Sequence, residues 1–148
     1  MKIIILKIIT MKNILVLCTG NSCRSQMAHG YLNLFASNSA IVYSAGIETH
    51  GINPGAASIM KEDGVDISNN TSNHVDEYEN IDFDFIITVC DHAKENCPYI
   101  VSPKAKWLHH DFYDPSKLIG SQKEKHSAFL KARTEIKDYI KEFVKKNL

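Results

Sequence analysis

No apolar run in this 148-residue chain approaches the ~20 residues that a membrane-spanning helix needs. Net charge is missing as well: 17 Lys and Arg stand against 17 Asp and Glu, giving a formal charge of zero and a pI near 7.0. Without a basic excess there is no long-range field to draw in nucleic acid or an anionic membrane. Any anion this protein binds must therefore be held by a local site. Cysteine is scarce, with only Cys18, Cys23, Cys90 and Cys97. They are too few and too widely spaced for a disulfide scaffold, and a chain of this length buries about two-thirds of its unfolded surface without one. There is one Trp, and there is no internal repeat, low-complexity tract or linker. What remains is average, at 44% hydrophobic and 23% charged, which excludes the disordered and fibrous classes.

Met1 to Thr10 (MKIIILKIIT) is apolar but interrupted by Lys7. It has neither the unbroken apolar region nor the small-residue cleavage site of a signal peptide. It reads as an N-terminal extension over residues 1–10, with an alternative start at Met11 and a single domain over 11–148. Asn13 to Leu17 (NILVL) is a continuous apolar run, as expected of a strand buried on both faces of a parallel sheet. After a loop, Met27, Ala28, Tyr31, Leu32 and Phe35 recur at helical spacing. Ile41 to Ser44 reads as a second strand. Asn53 and Pro54 then cap and open a helix that Gly64 is placed to end. Asp66 to Tyr78 predicts loop with a short helix, Phe85 to Val89 a third strand, and Lys106 to His109 a fourth. Phe129, Ala132, Ile136, Tyr139, Ile140, Phe143 and Val144 form the apolar stripe of a long C-terminal helix, with Lys141, Lys145 and Lys146 on its solvated side. Strands alternating with helices predict an α/β fold, a parallel sheet flanked by helices in three layers.

The most informative segment is Cys18-Thr19-Gly20-Asn21-Ser22-Cys23-Arg24-Ser25, between the first strand and the first helix. Ligands of open α/β sheets bind beyond the carboxyl ends of strands. A helix N-terminus there offers unpaired N–H groups and positive potential to an anion. The backbone N–H groups of Thr19 to Ser25 can wrap the oxygens of a tetrahedral oxyanion, while the planar guanidinium of Arg24 takes two more. The same field is expected to lower the pKa of Cys18 and supply a thiolate, with Ser25 as a further donor to it. Gly20 and Asn21 suit left-handed backbone.

The stretch Asn13 to Tyr31 (NILVLCTGNSCRSQMAHGY) resembles the opening of the thioredoxin-coupled arsenate reductases, which share the fold of the low-molecular-weight protein tyrosine phosphatases. The resemblance continues through Tyr43–Pro54 (YSAGIETHGINP), Asp66–Ser72 (DISNNTS), Val89–Pro98 (VCDHAKENCP) and Asp114-Pro115. It implies Cys18 as nucleophile, Arg24 and the loop as oxyanion cradle, and Asp114 as general acid. It also implies Cys90 and Cys97 as a redox pair that phosphatases of this fold lack. On that reading a Cys18–Cys90 disulfide forms as arsenite leaves, and Cys97 then converts it to Cys90–Cys97. Thioredoxin, with electrons from NADPH, reduces the latter, and no bound cofactor is needed. If residues 90–97 are helical, the two cysteines stand about 10 Å apart along the axis. Disulfide Cα atoms must come within about 7 Å, so oxidation is expected to unwind the segment. The resemblance implies a cytoplasmic monomer acting on arsenate.

Other readings stand beside it. A phosphatase acting on phosphotyrosine or small esters needs only Cys18, Arg24 and an acid, and a redox or oxyanion sensor needs no turnover. A zinc site of Cys90, His92 and Cys97 is disfavoured, because structural zinc cysteines are usually two to four residues apart. Asp111 competes with Asp114 for the acid role. Relatives with a potassium site use an Asn, a Ser and two carboxylates. Asn21 and Ser44 match the first two, but His29 and Asn73 stand at the carboxylate positions, so weak potassium dependence is expected. No metal is expected, and Cys23 has no assigned role. His109 and His110, neighbours on a strand, are expected on opposite faces, one packed and one at the surface.

Overall fold

The computed structural model describes residues 11–97 and 100–148; the expected extension at 1–10 and the last residue of the Val89–Pro98 motif lie outside them. Strand β1, Lys12–Cys18, is one residue longer at each end than the apolar run predicts. Its residues Ile14, Leu15, Val16 and Leu17 are each no more than 1% exposed. Successive strand side chains point to opposite faces, so four buried in a row mean that both faces of the sheet are covered.

The described residues form one parallel sheet of four strands in the order β2-β1-β3-β4, with β2 at Ala40–Gly46, β3 at Phe85–Thr88 and β4 at Lys106–His109. In register, Leu17 lies between Ala45 and Thr88. The chain leaves β1 to build β2 on one side and returns to build β3 on the other. That reversal opens a crevice at the carboxyl end of β1, the position where doubly wound sheets bind ligands.

Helix α1, Arg24–Ala36, follows the first loop directly. Helix α2, Pro54–Glu62, begins as its residues predict: Asn53 Oδ1 accepts from Ala56 N at 3.0 Å and Pro54 takes the first turn. Gly64, at φ +76°, turns the chain away just beyond its end. A single 3-10 turn, Val75–Tyr78, is the short helix expected between residues 66 and 78. Helix α3, Asp91–Asn96, follows β3, and a second 3-10 turn, Pro115–Lys117, follows β4. Helix α4, Gln122–Asn147, opens with a reciprocal cap between Ser121 and Glu124. It buries Phe129, Ala132, Ile136, Ile140 and Phe143, while Tyr139 and Val144 of the expected stripe are only half-buried. Lys141, Lys145 and Lys146 are exposed, as expected. Helices α1, α2 and α4 pack on one another, and α3 packs against β1 and β3. Among the described residues no helix is long and apolar enough to cross a membrane.

Gly46 ends β2 where it meets the loop after β1. A Cβ there would lie 2.3 Å from Glu48 O, 2.7 Å from Asn21 N and 2.7 Å from Thr19 O, all backbone atoms. Gly46→Ala must therefore push the loop out of shape. It is expected to cost about 1–3 kcal/mol of stability and to weaken oxyanion binding. Denaturant unfolding and phosphate titration measure the two effects, and neither is expected to match the parent protein.

Candidate active site

The loop from Thr19 to Cys23 is held from outside by its carbonyls. Thr19 O accepts from Glu48 N at 2.9 Å, and Gly20 O accepts from His50 N at 2.9 Å and from Ser72 Oγ at 2.9 Å. Asn21 O accepts from Gln26 Nε2 at 3.1 Å, and Ser22 O from Asn53 N at 3.0 Å. In a planar trans peptide the C=O and the following N–H point in opposite directions. Carbonyls drawn outward thus turn the amides of Gly20 to Cys23 inward, and those amides have no acceptor among the described residues. Asn21, at φ 48°, is the left-handed residue. Its side chain fixes the bend by donating to Ser25 Oγ at 2.9 Å and accepting from Asn73 N at 2.8 Å. Gly20, expected to share that conformation, does not; the absence of a Cβ instead lets the His50 ring lie over the loop.

Arg24 is 8% exposed and opens α1 under the cradle. Its Nη1 donates to Phe112 O at 2.8 Å, and its Nη2 lies 3.5 Å from Asp114 Oδ2. Its Nε is a buried donor with no partner, which an oxyanion in the cradle would satisfy. The other oxygen of Asp114 accepts from Ser116 N at 3.0 Å and from Ser116 Oγ at 2.6 Å, so Oδ2 is left to face Arg24. Asp111 Oδ1 is engaged elsewhere, accepting from Asp91 N at 2.9 Å. The cleft above these groups measures about 710 Å³; Glu48, His50, His92, Tyr113 and Lys117 line it together with the loop, Cys90 and both aspartates.

All four cysteines stand as thiols. Cys18 ends β1 and Cys90 caps α3, and the two side chains interact electrostatically at the carboxyl end of the sheet. The pair holds its first negative charge on Cys90, whose pKa is lowered to about 5 chiefly by the hydrogen bond from Cys18. Thr19 Oγ1 at 3.4 Å, the Ala93 N–H at 3.4 Å and the positive charge of Arg24 act in the same direction. A thiolate can only accept, so Thr19 donates to Cys90, and its oxygen meets His92 Nδ1 at 3.1 Å. The expected lowering of the Cys18 pKa is therefore corrected: it is raised, first by the hydrogen bond with Cys90 and then by burial, against Arg24 and the Ser25 N–H. Ser25 acts on Cys18 through its backbone, while its hydroxyl accepts from Asn21. Cys23 is pushed up to about 12, mainly by burial and then by the charge of Asp114. Burial also raises Cys97, at the far end of α3 from Cys90.

Residues 13–148 match the sequence profile of the family described as low molecular weight phosphotyrosine protein phosphatase. The chain belongs to that family. It is 46% identical over 132 residues to an arsenate reductase of Bacillus subtilis (strain 168), covering 89% of this chain and 94% of that one. An arsenate reductase of Oceanobacillus iheyensis is 46% identical over 134 residues, covering 90% of this chain and 96% of its own. Among solved structures, an arsenate reductase in oxidized state aligns with a TM-score of 0.78 at 26% identity, covering 92% of this chain and 98% of that chain.

Within this low molecular weight phosphatase fold, every expected site residue from Cys18 to Ser25, with Cys90 and Asp114, meets at one cleft or in its floor. Cys97 stands apart at the other end of α3. Among the described residues no group of three or more His, Cys, Asp or Glu could hold a metal ion, so the zinc alternative is not assembled. His29 Nδ1 lies 2.8 Å from Ser44 Oγ, and burial lowers its pKa to about 4, so the ring is neutral at pH 7. Sequence reasoning missed the Phe112 carbonyl, which no side-chain pattern announces. It also missed the supports from Ser72 and Asn73, although both sit in or beside the Asp66–Ser72 motif. Of the histidine pair, His109 is half-buried and His110 is exposed yet packed on Phe112, their ring centroids 4.2 Å apart.

The Cys18–Cys90 pair should be visible in solution. Ultraviolet thiolate absorbance of the reduced protein is expected to grow as pH rises through about 5, and Cys90→Ser is expected to abolish that step. A first thiolate appearing only near the ordinary value of 9.0 would contradict the pairing.

Proposed function

We propose that this protein is a thioredoxin-coupled arsenate reductase acting as a cytoplasmic monomer. The observation that carries the reading is that Cys18 and Cys90 face the same cleft and interact with each other beside an oxyanion cradle. A phosphatase has no use for a second thiol against its nucleophile, whereas a reductase must turn two thiols into a disulfide. The arsenate reductases at 46% identity support the same choice. A working pair of thiols also suits a reducing compartment.

Arsenate is held by the amides of Gly20 to Cys23 and by Arg24, whose free Nε gains an acceptor. Cys18 attacks arsenic as its proton passes to Cys90, and one oxygen leaves as water with a proton from Asp114. Cys90, once deprotonated again, attacks Cys18. The S–As bond breaks with its electron pair kept by arsenic, which falls from As(V) to As(III). Across these steps two thiols and one arsenate become one disulfide, one arsenite and one water. Cys97 next attacks Cys90, Cys18 leaves as a thiolate, and thioredoxin reduces the Cys90–Cys97 bond; no bound cofactor takes part. A phosphatase side activity would use the same cradle and acid.

With thioredoxin, thioredoxin reductase and NADPH present, arsenate is expected to drive NADPH loss that Cys97→Ser abolishes. Phosphatase turnover that survives Cys90→Ser and Cys97→Ser, with no NADPH loss, would favour the phosphatase reading. Hydrogen exchange across α3 is expected to rise on oxidation. Asp114→Asn is expected to slow arsenate turnover by about a hundredfold, the scale of a general acid, and Asp111→Asn by less than about tenfold. Steady-state rates for the two variants separate the roles, and a reversed order would move the acid to Asp111.

A further inference from the structure

We propose that His109 is a positioning residue: through Thr88 and Asp91 it fixes the Cys90 end of α3 against Cys18, so that Cys90 stays in place while the helix rearranges. The inference deepens the dithiol reading above and rests on it. His109 Nε2 lies 2.6 Å from Asp91 Oδ1, and a carboxylate only accepts, so Nε2 is the donor. On the other side of the ring, Nδ1 meets Thr88 Oγ1 at 2.7 Å. Thr88 is 2% exposed and ends β3, two positions before Cys90; its hydroxyl also reaches Leu108 O at 3.4 Å. The main chain of Asp91 is held independently, its N–H donating to Asp111 Oδ1 at 2.9 Å. Both the backbone and the side chain of the first α3 residue are thus tied to β4 and the segment after it. Within the helix Asn96 Nδ2 donates to His92 O at 2.9 Å, a bond that goes when the helix unwinds.

This clamp bears on the exchange. Seven residues of helix separate the two Cα atoms by about 10 Å, and a disulfide needs about 7 Å or less, so one end must travel. If Cys90 travelled, it would leave Cys18, Thr19 and Arg24. With Asp91 clamped, Cys97 comes to Cys90. Its thiolate attacks Cys90 Sγ within the Cys18–Cys90 disulfide, a new S–S bond forms as the old one breaks, and Cys18 departs as a thiolate. The proton of Cys97 goes to solvent and no electrons are gained or lost overall.

The test uses the full chain with Cys97→Ser, which traps the Cys18–Cys90 disulfide after arsenate is mixed in. Acid quenching and disulfide mapping give the rate of that first bond. His109→Phe is expected to slow it by about tenfold or more, the scale of one hydrogen bond to a charged group, while His109→Gln, which keeps a nitrogen donor for Asp91, recovers it to within about threefold. Asp91→Ala removes the same bond from a side chain that is 62% exposed, and serves if His109→Phe does not fold. In both disrupting variants the amides of Asp91 and Ala93 exchange faster, while those of Ile86 and Ile87 in β3 stay protected. With Cys97 restored, the second exchange is not slowed. Equal first rates in the parent, Phe and Gln proteins would overturn the proposal. So would equal slowing in Phe and Gln with exchange raised evenly through β3, which marks general destabilisation. If the Cys97→Ser parent forms no disulfide with arsenate, the reductase reading fails by itself. Exchange at Asp91 and Ala93 then decides the clamp: local opening in His109→Phe supports it, and unchanged protection sinks it.

Discussion

The outward pull on the carbonyls of Thr19, Gly20, Asn21 and Ser22 is the constraint on which the rest of the site depends. Each carbonyl satisfied from outside leaves an amide facing in, and buried amides without acceptors are costly. Four such groups in one loop amount to a standing demand for an anion, and the orphaned Nε of Arg24 adds to it. That demand exists without any net charge on the protein. The supports come from four separate places: Glu48 and His50 after β2, Asn53 at the cap of α2, Ser72 in the following loop, and Gln26 in α1. The cradle is thus a property of the whole carboxyl edge of the sheet rather than of an eight-residue motif.

Charge within the site follows from that geometry. Arg24 is shared between the Phe112 carbonyl, the Asp114 carboxylate and the two sulfurs, so one guanidinium gathers Asp114, Cys18 and Cys90 around itself. The resting negative charge lies on Cys90, where Thr19 and the Ala93 amide also converge. Cys23, only a few residues from the nucleophile, faces the charge of Asp114 and remains a protonated, buried thiol.

Much of this was legible before any coordinates. The run Asn13 to Leu17, the Asn53-Pro54 cap and the stripe on α4 each obey a rule that acts over a few neighbouring residues, and each was found within a residue or two of its predicted place. The loop from Cys18 to Ser25 was recognisable because strand, loop and helix follow one another in sequence. What could not be read was anything made by backbone atoms distant in the chain, such as the Phe112 carbonyl or the Asn73 amide on Asn21. The charge on Cys18 was misjudged for the same reason. A field argument from Arg24 and the helix terminus is sound for one isolated thiol, but Cys90, 72 positions away, interacts with the same sulfur.

Neighbouring parallel strands also set a length scale. Val89 N donates to Leu17 O at 3.0 Å, so Cys18 and Cys90 each follow a residue of one interstrand hydrogen bond. Strands about 4.8 Å apart, offset by one residue, hold such Cα atoms within the range a disulfide accepts. A Cys18–Cys90 bond would therefore be templated by the sheet, and its closure would need almost no search of conformations. A Cys90–Cys97 bond would instead draw on a six-residue helix that must lose its hydrogen bonds, so its rate would belong to the chain's entropy rather than to the sheet's stiffness. A relay built this way would rest its first bond on the sheet and its second on one of the shortest helices in the molecule.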